Sequence, residues 1–147
     1  MAGDTLRDAF RTRLATHCTT SPATTRSPKD LVNTVENPDA AAPGYVYLEF
    51  PGGNEQQYSF GAPGSNFFQE QGQVTLRVAS PLGAGTTVRD TAEVDAGLLR
   101  ARFRNDRFAV GSVSCRIVAV HPMGEGMDEG GMWVESVAIS YEVYNVA

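Results

Sequence analysis

The sequence predicts one α+β domain over residues 1–147: a four-stranded, mainly antiparallel sheet packed by two helices, in the order α-β-β-α-β-β, with long loops. Three observations predict it. Two segments repeat their apolar residues at helical spacing, and four alternate them with polar ones. The stretches between are rich in Pro, Gly, Ser, Thr and Gln. A chain of 147 residues, 41% hydrophobic and 20% charged, is long and apolar enough for one buried core.

The first helix is expected from about Thr5 to Cys18, where Leu6, Ala9, Phe10, Leu14 and Cys18 share a face and Asp4 or Thr5 can cap it. Residues 19–44 are a proline-interrupted connection. Tyr45–Phe50 is the first strand, with Val46, Leu48 and Phe50 on one side and Tyr45, Tyr47 and Glu49 on the other. A polar loop, 51–72, leads to a second strand at Gln73–Ser80. The turn Pro81–Gly85 opens the second helix, Thr86 to Arg104, capped by Thr86, with Val88, Ala92, Ala96, Leu99 and Phe103 as its apolar face. Two strands finish the chain, Val113–His121 and Trp133 to about Val146, joined by a glycine-rich loop, Pro122–Gly131. On the last strand Trp133, Val137, Ile139, Tyr141 and Val143 form one face.

Charge and composition exclude several classes. A formal charge of -5 disfavours a grip on nucleic acid or on an anionic membrane. No apolar run approaches the roughly 20 residues of a membrane span, and Met1–Asp4 does not start a secretory signal. The expected site of synthesis is the cytoplasm. Two cysteines, Cys18 and Cys115, are expected as reduced, packed thiols.

The motifs tested for chemistry fail on their residues. Gly83–Thr87 follows a strand and opens a helix but lacks the lysine of a phosphate loop, and Val88 stands where a dinucleotide fingerprint needs glycine. His17 and Cys18 are adjacent on a helix and so do not face each other. The acids of Gly124–Gly131 match no calcium-loop spacing. No catalytic, metal or cofactor residue is assigned, and no cofactor is expected.

Candidate contact residues remain. Arg100, Arg102, Arg104 and Arg107 cluster near the end of the second helix, where they complement its dipole, meet an acidic neighbour subunit or face passing DNA. Phe67 and Phe68 sit together in a polar stretch, and Met127, Asp128 and Glu129 occupy the glycine-rich loop.

In order, the helix TLRDAFRTRLA, the strand YVYLEF, the segment QGQVTLRVASPLGAGT leading into a helix ending LLRARF, and the closing WVESVAISYEV resemble the phage tail-terminator family and related minor tail proteins, gene-transfer-agent particles included. The resemblance implies a structural virion protein and no enzyme. Its copies would form a ring, typically a hexamer, that caps the tail tube, stops its polymerisation and offers the surface on which the head docks. The implied partners are copies of itself, the major tail tube protein and the head-tail connector, with DNA only as passing cargo. The implied location is the tail of a virion or phage-like particle, assembled in the host cytoplasm. A head-tail connector or neck adaptor, and a small ligand-binding domain, are the alternatives.

Overall fold

The computed structural model describes residues 4–28, 44–50, 53–57, 67–81, 86–111, 113–127 and 132–146. Along the chain come α1 (Asp4–Thr19), β1 (Ser27–Pro28), β2 (Tyr45–Glu49), β3 (Gly53–Gln57), β4 (Phe67–Pro81), α2 (Thr86–Phe103), β5 (Arg107–Val110), β6 (Val113–Met127) and β7 (Met132–Val146). The four-stranded sheet and the α-β-β-α-β-β order are therefore wrong. The strands form a single mixed sheet in the order β1-β2-β4-β7-β6-β5, with β3 also on β4, curled into a half-barrel. β2 pairs with Thr75–Ala79 and β3 with Phe68–Gly72, so both lie along one side of β4 as a single interrupted row. β1 runs parallel to β2, which makes the sheet mixed.

The missed strands have physical reasons. Period-two alternation shows only where one face of a strand is apolar and buried. β3 reads GNEQQ, with no apolar residue. β1 is two residues long and ends in proline, and β5 has four residues. Much of the supposed loops 51–72 and 122–131 is strand. β4 starts at Phe67 and β6 runs on to Met127, each paired antiparallel with β7. The register of β6 on β7 slips twice, between Ile117 and Ala119 and between Pro122 and Gly124. Val118 and Met123 are the extra residues of these two bulges, which bend the strand and add twist.

The helices fall where the spacing puts them. Leu6, Phe10, Leu14 and Cys18 of α1 are buried, as are Ala92, Ala96, Leu99 and Phe103 of α2. They close on Val46, Val74, Leu76, Val78, Ile117, Ile139 and Val143 in one continuous core. α2 lies over β4, β7 and β6, while α1 packs on β1 and β5 and touches α2. Phe10 is the hub, with its ring centroid 6.1 Å from Phe50, 5.0 Å from Phe108 and 5.4 Å from Tyr141, all edge to face. Gly72, inside β4, makes room for the Tyr141 ring: a Cβ there would stand 2.5 Å from the tyrosine oxygen.

The first apolar strand divides as expected. Val46, Leu48 and Phe50 join the main core, while Tyr45 and Tyr47 form a smaller cluster with Ala79, Met132 and Val134. Trp133 is only half-buried. The caps expected from Asp4, Thr5 and Thr86, and the contact of Val88, concern side chains outside the described residues, as does the turn at 82–85.

Candidate functional site

Two polar networks, one partly buried and one fully buried, brace the helices. Asp106, just beyond α2, accepts hydrogen bonds from Arg13 Nε at 2.8 Å and Nη2 at 2.7 Å, and its Oδ2 lies 2.8 Å from His17 Nε2. Burial disfavours the Asp106 charge, but the hydrogen bonds from Arg13 and His17 and the nearby guanidinium outweigh it and hold the carboxyl below its ordinary range. Burial pushes His17 down despite that same contact, with Arg13 and Arg102 acting in the same direction. Arg102 donates to the backbone oxygens of His17 and Pro22, so it closes the end of α1 rather than facing outward. The second network centres on Arg26, 1% exposed. Its guanidinium bonds to Asp95 Oδ2 at 2.8 Å, Ser80 Oγ at 2.7 Å and the Ala79 oxygen at 3.2 Å. Asp95 Oδ1 accepts the Thr25 amide at 2.9 Å.

Both cysteines are free and buried. Burial, reinforced by Glu70, Asp106 and Glu142, pushes the Cys115 thiol up to about 12. Burial also raises Cys18. Neither has the depressed thiol pKa of a reactive cysteine.

An open cleft of about 410 Å³ separates α2 from the β6–β7 hairpin. Glu93 of α2, Glu125 of β6 and Glu135 of β7 converge on it, with one carboxylate oxygen of each within 4.8 Å of the others. Glu125 and Glu135 stand opposite each other in the strand register, and Trp133 Nε1 donates to Glu125 Oε2 at 3.2 Å. Arg100 lines the cleft as well, and a Cβ at Gly97 would meet nothing within 4 Å. Burial, with the charges of Glu93 and Glu125, pushes Glu135 up to about 7, and Arg26 opposes this. Chemically, such a trio either shares a proton or accepts a positive charge from outside.

The sign of the pH effect follows from that raised pKa. The ordinary value is 4.5 and the folded value about 7, so the carboxylate costs stability above about pH 7, and the cost vanishes below 4.5. Glu135→Gln is therefore expected to stabilise the chain by about 1 kcal/mol near pH 8, after discounting for solvent screening, and by almost nothing near pH 4. Denaturant titrations at the two pH values check this, and an equal effect at both would contradict it.

The sequence-assigned contact residues separate in space. Arg100 lines the cleft, whereas Arg104 and Arg107 are exposed beyond the end of α2, where Arg107 stands opposite exposed Arg116 in the register of β5 and β6. Phe67 and Phe68 belong to β4, opposite Val146 and Asn145, and their side chains lie outside the described residues. Met127 ends β6 opposite Trp133, its side chain likewise outside the description, and Asp128 and Glu129 are outside it altogether. Sequence reading missed the glutamate cluster, because three single glutamates on different elements carry no spacing signal.

One further feature is the outer edge of β6. β5 covers it only at Val113–Arg116. From Val118 onward it has no strand partner among the described residues. The bulge residues Val118 and Met123 are 50% and 56% exposed there, and Val94 on α2 is 61% exposed.

No family model matches the chain, and no curated protein matches it. The chain is similar to a solved structure known only by a serial designation, at 25% identity and a TM-score of 0.56, over 100% of this chain and 96% of that one. The likeness is thus one of fold along essentially the whole of both chains, with no activity attached to it.

Proposed function

We propose that this chain is a tail terminator of a phage or phage-like particle, a structural protein whose copies close into a ring on the end of the tail tube. The observation that carries this reading is the outer edge of β6, which from Val118 onward has no strand partner among the described residues and presents Val118 and Met123 to solvent. Soluble chains ordinarily blunt or cover such an edge unless another chain meets it. The bulges and Pro122 discourage indiscriminate strand addition, and favour a fitted side-chain contact over an open-ended ladder. The sequence resemblance supplies the class of particle. Closure of a ring requires one face of each copy to meet a different face of the next.

The mechanism in this reading is steric and adhesive. A closed ring on the last layer of tube subunits removes the surface on which another layer would add, and its far side offers the docking surface for the head. Deleting the gene is expected to give tails of uncontrolled length, or heads and tails that stay apart, in electron micrographs. Joined particles with tails of normal length would contradict the proposal.

A further inference from the structure

We infer that neighbouring copies join head to tail through the two ends of β6, with the arginines at one end of one copy meeting the acidic end of the next. The inference rests on the ring-forming reading and specifies its contact. At the acidic end, exposed Glu125 lies two residues from Met123 and clusters with Glu93 and Glu135, Val94 follows Glu93 on α2, and Arg100 lines the same cleft. At the basic end, exposed Arg107 and Arg116 stand opposite each other, two residues from Val118, and exposed Arg104 follows on from α2. Each end thus combines an exposed apolar residue with an excess of one charge, three glutamates beside Arg100 at one and three arginines beside Glu142 at the other. Interface centres need the first and their rims the second.

The two ends cannot satisfy each other within one copy. Arg116 and Glu125 stand opposite Glu142 and Glu135 of β7, seven residues apart on that strand, which at about 3.3 Å per residue is roughly 23 Å. Arg116 has Glu142 at 3.6 Å. Arg104 and Arg107 have no ion pair among the described residues. The glutamate trio, for its part, makes no ion pair among the described residues, so beside Arg100, which lines the same cleft, it still has room for a second positive charge. An arginine brought by a second copy supplies it, and its planar fork fits a carboxylate pair. Among possible occupants, a second copy is the one whose complementary charge is on this same chain. Opposite patches at opposite ends also make a heterologous contact, the kind that closes rings.

The test is charge reversal in the full-length chain, read by sedimentation velocity at low salt. Glu125→Arg and Arg107→Glu are each expected to weaken self-association about tenfold or more. The double variant is expected to recover it. An equimolar mixture of the two single variants should also associate, since every junction in an alternating ring is then complementary. Should Glu125→Arg fail to fold by circular dichroism, Glu93→Arg paired with Arg104→Glu replaces it. Single variants that assemble like the natural chain, or a double variant no better than its parents, would overturn the contact. If the rings form and cap tubes regardless of these reversals, only this contact falls. A natural chain that neither self-associates nor caps tubes overturns the contact and the terminator reading together.

Discussion

Arg26→Ala is expected to destabilise the fold by about 3–5 kcal/mol, because it leaves Asp95 charged and buried without its partner. The guanidinium and the carboxylate are 0% and 1% exposed as side chains. Their pair joins three separate pieces of chain: the segment after α1, the middle of α2, and the end of β4 through Ser80 and Ala79. Replacing both partners by apolar residues of similar size is expected to cost far less than either single change, since no orphan charge remains. Denaturant unfolding followed by circular dichroism measures both. A single-variant loss below about 1 kcal/mol would show that water or local rearrangement satisfies Asp95 instead.

Phe10→Ala carries the second large effect, also about 3–5 kcal/mol. Phe10 is 0% exposed and touches rings from β7, from β5 and from the residue after β2, so its removal opens a cavity where α1 meets both halves of the sheet. Phe10→Leu, which keeps much of the volume but loses three edge-to-face contacts, is expected to recover more than half of that loss. Equal losses for both variants would place the contribution in the aromatic geometry rather than in the filled volume.

What the sequence made legible was whatever a single buried face imposes on the chain. Leu6, Phe10 and Leu14 mark α1, and Ala92, Ala96, Leu99 and Phe103 mark α2, because each helix buries one stripe. Val137, Ile139, Tyr141 and Val143 mark β7 for the same reason at period two. β3 offered no such signal, being polar throughout. The outer half of β6 was hidden by HPMGEGM, whose proline and glycines read as a loop and are tolerated because they lie on an edge. Arg26 and Asp95 are 69 residues apart, and charged residues are by default read as exposed, so their pairing had no trace in the sequence.

The arginine cluster shows how far one-dimensional grouping goes. Residues adjacent in sequence suggested one patch, yet the helix and the strand after it assign its members different tasks. Arg102 faces inward to backbone oxygens, Arg100 turns to the cleft, and Arg104 and Arg107 are left at the surface. The acidic cleft is the converse case, with Glu93, Glu125 and Glu135 brought together only by the fold.

Native mass spectrometry of the purified full-length chain at low ionic strength tests the central claim most directly, since it weighs each assembly and counts its copies. A single closed stoichiometry, six by the family resemblance, that dissociates as salt screens the charged ends is the result expected here. A chain that stays monomeric at every concentration, or one that grows into open-ended polymers of no fixed number, would contradict it.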